Sequence, residues 1–412
     1  MHILFINQYF YPDTASTGQL LTELCVSLAG EHRVSVLCGT PSYNPVKRLK
    51  AKWPFEREDY QNVHVFRAAS TGFSRTNMIG RCLNYISYLL NAFLSSLLIE
   101  KPDIVVAMTD PPIAGLIGLL VKKRRKVPVV TVVHDLHPDI GVILGKIRNP
   151  LVIKTVDTIV RFILTKAEHV ITIGRSMQQR IEDKGVDTDK TSVISNWVDV
   201  DLISPQPKEN PFSLEHGIVD DFTVMYSGNI GLSQNLDSII DAASILSDVP
   251  RIRFLLIGDG ATKAGLIGKA ERRGLKNILF LPYQPKEMLR YSLSSGDLHL
   301  VPLDRRLQGY IVPSKIYGIM AAGRPFLALV NQHSEVAEIA RQFNCGVVVE
   351  PDNAETLAEA IRGLLNSSQY LEEMGHRGRE TAVEYFGREL IRDQYGKLLR
   401  EVTEKANNGN QH

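Results

Sequence analysis

The chain holds only four cysteines, Cys25, Cys38, Cys82 and Cys345, set far apart with no CxxC pair and no histidine pair nearby. That spacing argues against a disulfide framework or a zinc site and for free thiols in a reducing compartment. There is no P-loop, no HExxH and no GxSxG, so the signatures of P-loop nucleotidases, zinc proteases and serine hydrolases are missing. GxGxxG is missing after the first strand-like run, which removes the turn a nicotinamide-dependent oxidoreductase needs. Neither sign of charge dominates, the net being +2, and no nucleic-acid partner is expected. The start, Met1 to Ile6, runs into a strand pattern with no basic segment or cleavage site, so no signal peptide is expected and the product is expected to stay in the cytoplasm.

A long hydrophobic run is lacking too. Met78 to Ile99 comes nearest, yet Arg81, Asn84, Asn91, Ser95 and Ser96 interrupt it, whereas a spanning helix needs about 20 nearly uninterrupted apolar residues. Leu83, Ile86, Leu90, Phe93, Leu94 and Leu97 recur instead at helical spacing, which predicts an amphipathic helix. Its apolar stripe either packs on the sheet of its own domain or lies on a membrane.

What is present reads as two α/β domains. A chain of 412 residues exceeds one core. In the first half, strands are predicted at His2–Asn7, Arg33–Leu37, Asp103–Met108, Val127–Val133, Val170–Ile173 and Ser192–Ile194, with a helix over Gln19–Ala29. The segment 203–213, rich in proline and polar residues, reads as a linker. A second series follows at Phe222–Tyr226, Arg253–Ile257, Asn277–Leu281, Leu298–Val301, Pro325–Val330 and Gly346–Val349, then a helix over Ala354–Leu365 and a charged helical stretch after Leu371. Strand–helix alternation implies doubly wound parallel sheets, whose ligands sit at the carboxyl ends of the strands. Residues 1–200 carry 24 basic and 18 acidic side chains and the remainder 23 and 27, so the halves face different partners or surfaces.

Several loops at those strand ends can carry chemistry. Thr17 and Gly18 close a long loop after the first strand; Gly18 lets a phosphate or acceptor approach, or is a plain glycine at a helix start. His134-Asp135-Leu136-His137-Pro138-Asp139 follows the β-branched run Val127–Val133. Such a change to polar residues marks catalysis or substrate contact, a metal, or a structural hydrogen-bond network. Gly228-Asn229-Ile230-Gly231 is read as opening a helix that starts with Gln234-Asn235. Gly258-Asp259-Gly260 and Leu281-Pro282-Tyr283 end the next two strands. Val312-Pro313-Ser314-Lys315 opens another helix, with Pro313 in its first turn, Gly323 at its end and Arg305 and Arg306 upstream. Unpaired N–H groups at two helix starts, joined by the Lys315 ammonium, suit an anion such as pyrophosphate. The DxD runs Asp187–Asp189 and Asp199–Asp201 are too short to be specific.

At this point the loops resemble a known family. Met225 to Gly231, Gln234, Ala242-Ala243, Gly258-Asp259-Gly260 and Val312 to Lys315, ahead of Met320 to Pro325, look like a family 4 retaining glycosyltransferase of the GT-B fold. The likeness is to the bacterial exopolysaccharide and O-antigen branch that holds colanic-acid fucosyltransferase-type and N-acetylfucosamine-transferase-type proteins. It extends over nearly the whole chain, including Ser195-Asn196 and Val198-Asp199.

The resemblance implies two Rossmann-like doubly wound domains facing across a cleft. The first, 1–202, would bind acceptor; after the linker 203–213, the second, 214–385, would bind the nucleotide sugar. Residues 386–405 would form a helix crossing back, and 406–412 a disordered tail. The base would lie by Pro282 and Tyr283, the ribose near Gly258, Asp259 and Gly260, and the diphosphate between Gly228-Asn229 and Ser314-Lys315. Gln234, Arg305, Tyr310, Ile311, Val312, Pro313 and Gly318 would complete the donor contacts, and Thr17 and Gly18 the acceptor side. His134, with Asp135, would serve the reacting sugar. The donor would be a UDP-sugar, or second a GDP-sugar, and the acceptor lipid-linked or an oligosaccharide, with no metal or other cofactor.

The chain departs from the family pattern where members carry Glu-x7-Glu, here Tyr310 and Gly318. It departs again where many carry Arg and Lys, here Asn229 and Gln234. The basic run Lys122 to Lys126, with Lys47, Arg48, Lys50 and Lys52 before Trp53, fits an anionic membrane surface at the inner face of the plasma membrane, or a solvated surface. A catalytically silent sugar-nucleotide-binding subunit and a GT-B sugar-nucleotide epimerase are the alternatives.

Overall fold

The computed structural model describes residues 1–13, 15–41, 53, 55–73 and 78–409. It divides into two compact units, the first holding Met1–Ser195 with the segment from Glu389 on, the second Asn196–Arg388.

The first unit is built on eight strands: β1 (His2–Ile6), β2 (Arg33–Gly39), β3 (Phe55–Tyr60), β4 (Val63–Ala68), β5 (Ile104–Met108), β6 (Val129–Val133), β7 (His169–Thr172) and β8 (Thr191–Val193). Their order is β3-β4-β2-β1-β5-β6-β7-β8. β1, β5 and β6 are buried at every position, as the β-branched composition of a sheet covered on both faces requires. Phe5 pairs with Val36 on one side and Val106 on the other, so the carboxyl ends of the central strands are level.

The hairpin β3–β4 is not foreseen by the alternation of strands and helices. β3 is antiparallel to β4, and β4 then adds parallel to β2. β3 reads Phe-Glu-Arg-Glu-Asp-Tyr, a charged edge strand that resists further pairing and hides the apolar alternation. Its turn, Gln61-Asn62, takes positive φ at both residues, the geometry that fits the strand twist without the usual Asn-Gly signal.

The helix Met78–Leu98 is inverted relative to simple packing of its stripe on the sheet. Tyr88 and Ala92 are buried in the first unit's core, but Leu83, Ile86, Leu90, Phe93, Leu94 and Leu98 are exposed. Polar residues occupy part of the buried side. Asn84 accepts from the Phe73 N–H (3.0 Å) and from the Thr71 hydroxyl (2.8 Å), and Asn91 donates to the Ala69 carbonyl (2.8 Å). The helix thus spends its polar face holding the irregular segment after β4, whose backbone groups it pairs. Among the described residues no helix is long and apolar enough to cross a membrane.

The second unit has six parallel strands: β9 (Phe222–Ser227), β10 (Ile252–Ile257), β11 (Ile278–Leu281), β12 (Leu298–Pro302), β13 (Phe326–Leu329) and β14 (Gly346–Val349). Their order is β11-β10-β9-β12-β13-β14. Chain order reverses at β9, between β10 and β12, which makes the end of β9 the switch point where ligands bind in open sheets.

Two boundary expectations are corrected. The segment 203–213 is no free linker. Ile203 and Asn210 are buried, Arg379 donates to the carbonyls of Val200, Ile203 and Ala321, and Lys208 pairs with Asp297 at 2.5 Å. Asn210 also caps the short helix Pro211–Glu215. Proline and polar composition marks irregular backbone, and here tertiary hydrogen bonds fix it. The last helix runs Arg388–Gly409, through residues read as a disordered tail.

Candidate active site

Three loops at the switch point of the second unit lie side by side because β11, β10 and β9 are neighbours in register. They touch backbone to backbone. A Cβ on Gly258, whose φ is +142°, would stand 1.9 Å from the Gly228 carbonyl oxygen, and one on Gly260 would stand 2.3 Å from that of Ile230. Only glycine allows this approach. The Ile230 N–H donates to the Asp259 carbonyl at 2.8 Å, and Tyr283 rests its hydroxyl on that carbonyl at 3.4 Å.

The amide accounting changes the expected picture. The N–H of Gly228 goes to Ile257, that of Ile230 to Asp259, and that of Gly231 to the Gln234 side chain at 3.2 Å. Three of the four amides expected to face an anion are therefore satisfied within the protein. Gly231 does not open a long helix either: a single 3-10 turn, Leu232–Gln234, ends at Asn235 in the left-handed region, and the α-helix begins at Asp237. Gln234 is occupied as a cap, and the Asn229 side chain lies within 2.8 Å of where Cβ atoms of both Gly231 and Gly260 would be, so it wedges the loop.

Lys315 provides the charge. The helix Lys315–Ala321 starts at Lys315 with Ser314 as its cap, which leaves Pro313 outside the helix rather than in its first turn. The half-buried ammonium donates to the Tyr226 hydroxyl at 3.0 Å and sits 4.1 Å from the centre of its ring. Among the described residues no carboxylate pairs with it. Burial lowers its pKa from 10.5 to about 7. Arg306 is committed to Asp304, with contacts of 3.0 and 2.6 Å. Arg305 is exposed and only 3.9 Å contacts link it to Glu350 and Asp352. Tyr310, Ile311, Val312 and Pro313 lead into the helix, while a Cβ on Gly318 would meet Leu293 and Ile203.

In the first unit, the loops after β1, β5 and β6 are neighbours by strand order. His134 leaves β6 buried, with no partner for Nε2 among the described residues, and burial lowers its pKa to about 4. Asp135 is pushed up to about 7, first by burial and then by the negative charge of Asp110. Thr17 donates to Asp110 at 2.8 Å, and the Asp110 carbonyl accepts from the Gln8 N–H at 2.8 Å. Gly18 is packed under Tyr9, 3.1 Å from where a Cβ would be, so its size is explained by packing. Asp139 pairs with Lys184 at 2.9 Å and is structural. Asp199 pairs with Arg388 at 2.7 Å.

Asp110 is the residue the sequence reading passed over. Its signal was there: Thr109-Asp110-Pro111-Pro112 follows the apolar strand β5 as abruptly as His134 follows β6. The basic residues Lys47, Arg48, Lys50 and Lys52 lie outside the described residues.

Two parallel α/β units, with glycine loops and a cation at the switch point of the second, define a GT-B glycosyltransferase. The chain belongs to the family 4 glycosyltransferases: a Glycosyl transferase 4-like domain matches residues 17–197, and Glycosyl transferases group 1 matches residues 211–381. It is 28% identical over 377 residues to WcaI of Escherichia coli (strain K12), assigned as a colanic acid biosynthesis glycosyl transferase, covering 89% of this chain and 92% of that protein. It is 25% identical to WbjE of Pseudomonas aeruginosa, assigned as a glycosyltransferase, over 70% of this chain and 74% of that one. In fold it resembles HepE of Anabaena, solved with UDP, at a TM-score of 0.73 and 17% identity over 97% of this chain and all (100%) of that one. A sucrose-phosphate synthase from Thermosynechococcus elongatus gives a TM-score of 0.78 at 17% identity, covering 98% of this chain and 100% of that one.

Gly258→Ala places a methyl group where the Gly228 carbonyl stands. It is expected to lose at least about 2 kcal/mol of unfolding free energy. Gly265→Ala, which meets nothing within 4 Å, is expected to be neutral or stabilising. Urea titration of both variants checks this, and equal stability would show that the loops can part without loss.

Proposed function

We propose that the chain transfers a sugar, with retention of anomeric configuration and without a metal, from a nucleoside diphosphate sugar to a lipid-linked or oligosaccharide acceptor in bacterial cell-surface polysaccharide assembly. A UDP-sugar is the first choice of donor and a GDP-sugar the second. The observation that carries the reading is the Lys315 ammonium beside the Gly228 turn with no carboxylate paired to it among the described residues. A cation held partly out of water without a counter-ion is unfavourable until an anion joins it. The names of the relatives, and HepE solved with UDP-glucose, support a nucleotide-sugar donor.

In this reading the bond from the anomeric carbon to the diphosphate oxygen breaks as the acceptor oxygen bonds to that carbon on the same face. The acceptor's proton passes to the departing phosphate oxygen. The sugar is oxocarbenium-like at the midpoint, and Lys315, with Arg305 as the second cation, stabilises the charge that collects on the diphosphate. Pro282 and Tyr283 take the base, and Gly258 to Gly260 the ribose. His134 is proposed to meet the reacting sugar, with Asp135 as a hydrogen-bonding neighbour and Thr17 on the acceptor side.

The acceptor reading joins a second one, that the first unit rests on an anionic bilayer. The exposed apolar side of the helix Met78–Leu98 supports it. Arg125 ties the basic run to the end of this helix through the carbonyls of Leu97 and Ile99, at 3.3 and 3.1 Å. The local carboxylates Glu100 and Glu168 are paired with Arg33 and Lys122, while Lys123, Arg124 and Lys126 are exposed. An apolar row ending in cations is complementary to acidic headgroups over acyl chains.

Lys315→Ala is expected to lower turnover by roughly 100-fold. Because the free protein's ammonium deprotonates near pH 7 and bound diphosphate needs the charged form, UDP affinity should fall as pH rises above about 7, by up to roughly tenfold per unit. Lys315→Met should lack that slope. Calorimetric titration with UDP and GDP across pH reads it, and a wild-type protein that binds neither nucleotide sinks the proposal.

Flotation with vesicles of phosphatidylglycerol in phosphatidylcholine at low salt tests the bilayer reading. Wild type should float, and Leu90→Glu with Phe93→Glu should reduce binding by roughly tenfold or more. Equal flotation of both, or a dimer in light scattering that the two substitutions dissolve without any vesicle binding, argues against it.

A further inference from the structure

Tyr226 sits on β9 one residue before its end and is fully buried. Its hydroxyl has two dealings. It donates to the Asn229 carbonyl at 2.5 Å and accepts from the Lys315 ammonium at 3.0 Å, while its ring lies under the same ammonium at 4.1 Å. One rigid side chain, anchored by strand pairing, therefore holds both the glycine turn and the cation. The Gly228 backbone closes the remaining space: a Cβ there would be 3.1 Å from Lys315 Cε and 3.5 Å from Nζ.

We infer that Tyr226 is a positioning residue for the transfer reaction, its hydroxyl fixing the Lys315 ammonium and the Gly228-Asn229 turn as one donor-binding element. This rests on the reading of Lys315 as the diphosphate's cation. A lysine stem has four rotatable bonds, and an ammonium that must meet a phosphoryl oxygen gains from having them fixed in advance. A tyrosine does this without neutralising the charge, which a carboxylate would do. Burial raises the Tyr226 pKa, with Tyr283 in the loop after β11 adding to it, so the hydroxyl keeps its proton for Asn229 and its lone pairs for Lys315. Among the described residues, Tyr226 is the titratable side chain in contact with the ammonium.

Tyr226→Phe keeps the ring and removes both hydrogen bonds. In the nucleotide-free protein, competitive acetylation of Lys315 followed against pH by mass spectrometry reports the ammonium directly. The midpoint should fall by about half to one pH unit, because an acceptor of the charged form has gone. UDP should bind about 5- to 10-fold more weakly, and this loss should shrink to under about twofold when Tyr226→Phe is made in a Lys315→Met background. That cycle separates an action through Lys315 from a general loosening of the fold, which would weaken binding equally in both backgrounds. An unchanged labelling midpoint with UDP still bound overturns the positioning role and leaves the proposed function standing. A wild-type protein that binds neither UDP nor GDP overturns the functional reading, and this role with it, whatever the midpoint does in the variant.

Discussion

The candidate donor site depends on one electrostatic arrangement: an ammonium held partly out of water with no carboxylate of its own among the described residues. Taking a charge out of water costs several kcal/mol, and the protein could remove much of that cost with an aspartate. Such an aspartate would also compete with any anionic ligand. The cost is instead expressed as a lowered pKa, the response expected of a buried lysine whose surroundings disfavour its charge. Between about pH 7 and the ordinary lysine range the unfolded chain binds one more proton here than the empty fold. Stability of the empty protein at this site therefore rises with pH over that window, the opposite sense to a lysine held by a partner. A ligand anion reverses the sense.

Around that cation the protein is neutral and stiff. Family members often place Arg and Lys where this chain has Asn229 and Gln234, and the structure gives these neutral residues internal duties. Gln234 caps the Gly231 N–H, and Asn229 fills the angle between Gly231 and Gly260. The turn is thus shaped by its own side chains, and its carbonyls face glycines of the next loop. Lys315 brings positive charge to the turn, while the Lys263 ammonium is spent on the Gly258 and Leu281 carbonyls at 2.6 and 3.0 Å; the turn itself contributes shape and its one amide, that of Asn229, with no partner among the described residues. One well-fixed cation is a consistent way to meet an anion when dipoles and position do most of the stabilising.

Much of this was legible in the residues. All six strands of the second unit lie where mostly apolar runs of four to six residues meet glycine or proline, as expected of parallel strands packed between helices. Glycines at two adjacent strand ends marked the site, since few other reasons bring Gly228, Gly258 and Gly260 to those places. What escaped depends on partners that composition does not reveal, most of them distant in sequence. The amides of Gly228, Ile230 and Gly231 looked free because their acceptors are Ile257, Asp259 and a side-chain oxygen of Gln234. The segment 203–213 looked like a linker because composition does not reveal Arg379, some 176 residues away. The helix Met78–Leu98 carried a clear stripe, but periodicity finds a face without telling which way it turns. Asn84 and Asn91, met as interruptions of an apolar run, are what turned it.

The two units differ in the kind of recognition their strand ends offer. The second offers a cation and close backbone, which suits a group carrying negative charge. In the first, His134 is kept neutral by burial, and Asp135 is raised toward neutrality by burial and by Asp110. The Asp110 carboxylate accepts from the Thr17 hydroxyl at 2.8 Å, and its negative charge adds to burial in raising Asp135. A neutral imidazole whose Nε2 has no partner among the described residues and a carboxyl poised between acid and anion are suited to hydroxyl groups, which donate and accept but bear no charge. Sugar hydroxyls are of that kind. The unequal distribution of basic and acidic residues between the halves does not predict this division, because surface charge and site charge obey different constraints: the first is set by solvation, the second by what each buried group can find to pair with.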